Sequence, residues 1–144
     1  MGIKAATSAH IALRKNLSKS TEFTLIFEQL KSLVINYQAL MKISVNSDSR
    51  FEIWTEREIS FNGKKPKKGV MFATLLKLRN FVGLYFQPLY FDNKLIDDES
   101  FSELVGKKTG LTCFHFTSLN STLLAQTESL FNKGLEFYQN KNWV

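Results

Sequence analysis

From Phe23 onward, apolar residues recur three or four positions apart: Phe23, Ile26, Phe27, Leu30, Leu33, Val34, Tyr37, Leu40 and Met41. That spacing predicts one amphipathic helix with a single buried stripe. Ser20 or Thr21 stands where it can cap the start, and Glu22 suits the positive end of the helix dipole. Each fully buried side chain contributes about 1.5–3 kcal/mol before the opposing conformational entropy, so such a stripe can fasten the helix to a sheet. After Ser44 the period drops to two. Phe51 and Ile53, then Ile59 and Phe61, alternate with Glu52, Glu58 and Ser60 and read as half-solvated antiparallel strands.

Two longer β-rich runs follow, Val70 to Leu78 and Phe81 to Leu89, separated by Arg79-Asn80 as a tight hairpin. Both of their faces are largely apolar, which predicts central strands covered on more than one side. The aromatics on Val82 to Phe91 could line a hydrophobic pocket on the sheet, although core filling is the commoner fate of such residues. Pro88 offers no amide donor and belongs at a strand end or edge. Beyond it, Asp97 caps a short helix that Gly106 closes, with Ile96 and Phe101 stapling its start. Leu111 to Phe116 reads as a further strand. Asn120 then caps a last helix whose stripe is Leu123, Leu124, Thr127, Leu130, Phe131, Leu135 and Tyr138, with Leu119 and Leu124 as a second staple. Gly134 on that stripe costs about 1 kcal/mol against alanine and points to close packing on a neighbour. The order helix, four strands, short helix, strand, helix predicts an α+β fold in two layers: a twisted antiparallel sheet of about five strands with helices packed on one face.

A length of 144 residues favours one domain, read here as residues 21–144, with residues 1–20 an N-terminal extension or short helix. Met1 to Thr21 holds four bases (Lys4, Arg14, Lys15, Lys19) and no acid, a composition shared with transit peptides, yet arginine is scarce and nothing marks a cleavage site. Ala6 stands where a myristoylation motif wants Ser or Thr. Thirteen Phe, four Tyr and two Trp exclude a disordered chain. The single cysteine, Cys113, excludes an internal disulfide framework and a cysteine-built zinc cage. No apolar run approaches the roughly 18–20 residues that span a bilayer, so the expected setting is the cytoplasm, with no membrane partner.

The charge is +6, from 19 Lys+Arg against 13 Asp+Glu. Four of those charges sit in Gly63-Lys64-Lys65-Pro66-Lys67-Lys68-Gly69, and without them the chain would stand at +2 (6 minus 4). Lys64, Lys65, Lys67 and Lys68 are therefore the candidate anion-binding residues. Four neutralised phosphates would give duplex DNA binding a slope of about −3.6 in log affinity against log salt. The competing reading is a solvated hairpin tip whose lysines keep strand edges soluble.

Tyr85-Phe86-Gln87-Pro88-Leu89-Tyr90, then Gly106-Lys107-Lys108, then Thr112-Cys113-Phe114-His115-Phe116, together resemble the bacterial YdhG-like domain-of-unknown-function family. The ending Gly134-Leu135-Glu136-Phe137-Tyr138, with Trp143-Val144, is similar to that family's close. The resemblance covers roughly residues 69–144 and, loosely, the first helix. It implies a frataxin-like or iron-chaperone-like fold, an antiparallel sheet with helices against it. An iron-handling role would want clustered carboxylates, because hard iron ions prefer oxygen ligands. Here Glu22 and Glu28 on the first helix stand about 240° apart round its axis, and Asp97, Asp98 and Glu99 are accounted for as helix-start residues.

Other chemistry is thinner. Cys113 and His115, two apart on a strand, share a face and could serve as metal ligands or as a nucleophile and base. The only other histidine is His10, so no third partner is visible; the plainer reading is a buried free cysteine beside a hydrogen-bonded histidine in a core strand. Gly106-Lys107-Lys108-Thr109-Gly110 lacks the glycine that a phosphate-binding loop places before its lysine, and reads as a turn. Lys68-Gly69-Val70-Met71-Phe72 matches an RNA-recognition strand only at Lys68, Gly69 and Phe72. The sequence therefore predicts a non-enzymatic binding domain with no catalytic residue, no assigned metal-ligating residue and no cofactor. Its ligand would be a small molecule or a metal held against the sheet, or its partner a protein, with homo-oligomerisation left open. The alternative is a polyanion or nucleic-acid binder working through the lysine-rich hairpin.

Overall fold

The computed structural model describes residues 19–144. The features read in residues 1–18, His10 among them, lie outside the described residues. Helix α1 (Lys19–Val34) buries Phe23, Ile26, Phe27, Leu30 and Val34, the predicted stripe. Ser20 and Thr21 lie inside this helix rather than capping it, and the Ser20 carbonyl accepts from the Thr24 hydroxyl at 3.0 Å. The regular helix also ends sooner than the spacing predicts. Residues Ile35–Ala39 tighten into a 3₁₀ turn, which sets the Tyr37 ring edge-on to Phe72 at 5.5 Å and lets its hydroxyl donate to Asn132. Leu40, expected in the stripe, is exposed, while Met41 is buried.

Strands β1 (Lys42–Asn46) and β2 (Arg50–Trp54) follow. The short pair β3 (Glu58–Ile59) and β4 (Lys67–Lys68) comes next, then β5 (Met71–Lys77), β6 (Val82–Phe86) and, later, β7 (Cys113–Phe116). Five of these make one antiparallel sheet in the order β1-β2-β5-β6-β7. The fold is thus α+β, as the sequence predicts, although two strands fall elsewhere than expected. The segment Lys42–Asn46, to which the sequence pattern assigns no element, forms an edge strand. The Ile59 strand does not join the main sheet; it pairs only with β4.

The reason lies where β2 runs out. Thr55 still pairs with Val70, its amide donating to the Val70 carbonyl and its hydroxyl accepting from the Val70 amide, both at 2.9 Å. The next residue across, Gly69, has φ +84°, and a Cβ there would come within 2.1 Å of the Thr55 carbonyl oxygen. The two backbones touch, and the chain beyond them leaves the sheet as a separate arm, residues 56–69.

Strand β6 stops at Phe86, short of the predicted Leu89. Pro88 opens the short helix α2 (Pro88–Phe91), where a missing amide donor costs nothing. Two 3₁₀ turns lead into α3 (Ser102–Val105). The cap here is Asp98 rather than the expected Asp97: its carboxylate accepts from the Ser100 amide at 2.9 Å. Asn120 caps the last helix, α4 (Ser121–Asn140), as predicted, accepting from the Leu123 amide at 2.7 Å.

Helices α1 and α4 close one face of the sheet over a core that includes Phe51, Phe72, Phe86, Phe114, Phe131 and Tyr138. Gly134 lets α4 pack closely, as predicted, since a Cβ there would lie 2.3 Å from Phe86 Cζ and 3.0 Å from Pro88 Cγ. β5 and β6 are interior strands of the sheet, as predicted. On the face turned away from α1, Tyr85 stays half-buried while Thr74 and Gly83 are buried. Among the described residues no helix is long and apolar enough to cross a membrane.

Substituting Gly69→Ala should therefore lower stability by about 2 kcal/mol or more, because it adds a backbone clash to a left-handed conformation. Gly63→Ala, at φ +71° with nothing within 4 Å of its Cβ, bears the conformational cost alone, about 1 kcal/mol. Urea midpoints of the two variants measure the difference; equal losses would contradict the close approach.

A candidate aromatic and basic cleft

Where the arm departs, it leaves a cleft of about 1050 Å³ bounded by β2, the arm, α2 and the end of α4. Its size stands at the upper end of small-molecule sites, which run to roughly 1000 Å³. The floor comes from period-two alternation on β2: Arg50, Glu52 and Trp54 project from the sheet face opposite Phe51 and Ile53. The Trp54 indole Nε1 donates to Glu52 Oε1 at 2.6 Å, and Arg50 donates to Glu52 Oε2 through Nη2 at 2.7 Å and Nε at 3.2 Å. Glu52 is thereby engaged on both oxygens. Burial pushes its carboxyl up, but the hydrogen bonds from Arg50 and Trp54 and the Arg50 charge outweigh this, so its pKa lies below the ordinary value.

The opposite wall is a cluster of rings. Phe61, carried by the arm, stacks on Phe91 of α2 with centroids 5.6 Å apart and planes 5° apart. Trp143 meets Phe61 edge-on at 5.2 Å and Phe91 at 4.8 Å. Asn142, at φ +62°, turns the chain back after α4, and the Trp143 amide then donates to the Tyr138 carbonyl at 2.9 Å. With Ile59 buried beneath, the arm is clamped to the C-terminal segment. Pairs of this kind contribute about 0.5–1.5 kcal/mol each beyond the area they bury.

The rim is basic. Lys64, Lys65 and Lys67 of the arm line the cleft with Arg50 and Lys141, whereas Lys68 does not. The acids among the lining residues are Glu52, already matched by Arg50, and Asp92. Among the described residues none of the three arm lysines forms a salt bridge. Six aromatic side chains share this lining: Trp54, Phe61, Tyr90, Phe91, Phe137 and Trp143.

The lysines stand out in the sequence by their charge, whereas most of their surroundings do not. Trp54 and Arg50 were legible as the outward positions of a half-solvated strand. Phe61 carried a misleading signal, since its alternation with Ile59 reads as main sheet. The aromatics of residues 82–91 divide: Phe86 is core, while Tyr90, 63% exposed, and Phe91 belong to the cleft.

Cys113 and His115 do share a face, as their spacing predicts, but it is the open face of β7 and not a core strand, and neither lines the cleft. The His115 ring stacks on Phe81 with centroids 3.7 Å apart. Cys113 lies opposite Tyr85 and raises the Tyr85 phenol, as a charge once ionised and as a hydrogen-bond partner, with burial adding to it. The Gly106–Gly110 segment is a turn: the Gly106, Lys107 and Lys108 amides donate to the Glu103, Leu104 and Val105 carbonyls, and Thr109 N–H donates to the Cys113 carbonyl at 2.9 Å. Among the described residues no group of three or more His, Cys, Asp or Glu side chains converges to hold a metal ion. In comparisons with known proteins, no family model, curated protein or solved structure matches the chain.

The Glu52 tether has a defined pH dependence. A carboxyl with a lowered folded pKa stabilises fully above its unfolded value, roughly 4.3, and that stabilisation is lost as pH falls through the lower folded value. The near-UV circular dichroism of the tryptophans should hold constant from pH 7 to about 5 and change only below the ordinary glutamate value. In Glu52→Gln that acid transition should shrink. A transition centred near neutrality would contradict the assignment.

Proposed function

We propose that this chain is a non-enzymatic binding module of the YdhG-like kind, working in the cytoplasm, that holds a small organic anion in the cleft between the lysine arm and the sheet. The observation that carries this reading is the composition of one concave surface. Five cations meet six aromatic rings there, against two acids of which one is already paired. Apolar walls with a few convergent polar groups are what a small-molecule site requires. The low-dielectric walls also strengthen each cation's attraction for a negative group.

The non-enzymatic part of the reading rests on where the reactive groups lie. Glu52 has both oxygens engaged, and the thiol and imidazole stand on β7 away from the lysines. The single cysteine, which has no intramolecular disulfide partner, suits a reducing compartment. Iron handling, implied by the family resemblance, draws no support from a lining whose carboxylates are Glu52 and Asp92 alone.

A second reading is favoured by one specific observation: Lys64, Lys65, Lys67 and Lys68 are all exposed on the arm, where a polyanion could reach every one of them. The two readings separate by titration with anilinonaphthalene sulfonate, an aromatic anion, followed by fluorescence. The cleft reading expects saturable one-to-one binding that weakens at least tenfold in the Lys64→Ala/Lys65→Ala/Lys67→Ala variant, with an unchanged thermal midpoint. Loss of nothing on substitution would overturn it. Duplex DNA binding with a salt slope of about −3.6, abolished only when Lys68 is also removed, would establish the polyanion reading instead.

A further inference from the structure

We infer that the anion is a nucleoside polyphosphate, its base stacked on Trp54 and its phosphates met by Lys64, Lys65 and Lys67. This rests on the reading of the cleft as an organic-anion site and names the ligand's chemical class. The lining rings are not equivalent. Phe61, Tyr90, Phe91, Phe137 and Trp143 each pack against another ring of the cluster, whereas Trp54 has no ring partner among the described residues. Its indole is nevertheless fixed, because Nε1 is tied to Glu52 and Glu52 is tied in turn to Arg50. A fixed ring with no aromatic neighbour is a stacking platform that loses little conformational freedom when it is covered.

The charges indicate the rest of the ligand. Three lysines within four positions of the arm supply more charge than a single carboxylate could match. A chain of phosphates satisfies all three. Asn62 and Gln87 add neutral amides to the same lining, where base edges or ribose hydroxyls could meet them. One platform also argues against a continuous nucleic-acid strand, which would call for successive rings along a groove.

The test is isothermal titration of the full chain with adenosine diphosphate, uridine diphosphate, tripolyphosphate and a twelve-residue single-stranded oligonucleotide. Parallel titrations use Trp54→Leu, Trp54→Phe and Lys64→Ala/Lys65→Ala/Lys67→Ala, each checked for an unchanged thermal midpoint. The inference expects a nucleoside diphosphate to bind at least tenfold tighter than tripolyphosphate. Trp54→Leu should erase that advantage and Trp54→Phe should restore most of it. Equal binding of nucleotide and tripolyphosphate, indifferent to Trp54, would overturn the stacking while leaving the anion site standing. Binding of anilinonaphthalene sulfonate without any nucleotide would do the same. An oligonucleotide far tighter than either diphosphate would replace a mononucleotide with a strand. Failure of every anion, the sulfonate included, would remove both this inference and the function on which it rests.

Discussion

Two backbones pass within contact at Gly69 and Thr55, and the cleft follows from that approach. No side chain fits between them, and the left-handed φ at Gly69 turns the chain away from the sheet it would otherwise extend. Residues 56–69 consequently do not lengthen β2 and β5. They form an arm standing beside the sheet, and the space between arm and sheet becomes a cleft rather than more core. A β-carbon at this one position would press the two strands apart.

An arm pinned only at its base would swing freely, and here its far end is secured as well. Ile59 is buried, and Phe61 reaches across to Phe91 and Trp143, which are held in turn by α2 and by the turn after α4. The lysines therefore ride on a support fixed at two points, over a floor stiffened by the run from Arg50 through Glu52 to Trp54. The two faces of the sheet differ. One is dry and closed by α1 and α4; on the other, Glu52, Trp54, Tyr85 and His115 stay half-buried.

The layout of the main body was legible in the sequence because it depends on periodicity. The stripes of α1 and α4, the Asn120 cap and the close contact of Gly134 all follow from spacing and from the chemistry of single residues. The places where the reading went astray are those where a tertiary contact overrides a local pattern. Ile43 and Val45 alternate as a strand should, but two apolar positions directly behind a helical stripe that runs to Met41 are too short a signal to mark β1. Ile59 and Phe61 alternate like core strand residues because Ile59 is buried in the core and Phe61 packs against it, although their strand pairs with β4 and not with the main sheet. Asp97 and Asp98 are equivalent by type, and only the Ser100 amide chooses between them. The cleft itself was half visible. The lysines announced themselves by charge, whereas Trp54 and Trp143, 89 positions apart (143 minus 54), become neighbours of one cavity only through the fold.

The most direct test of this account watches the two indoles as a ligand arrives. In a ¹⁵N-resolved spectrum of the full chain, the Trp54 and Trp143 Nε1–H signals are separately assignable, with the amides of Lys64, Lys65 and Lys67 beside them. Adding a nucleoside diphosphate should move the Trp54 indole and the arm amides together at one saturating stoichiometry, leaving Cys113 and His115 on β7 undisturbed. Shifts that gather on β7 while the Trp54 indole and the arm stay still would contradict it.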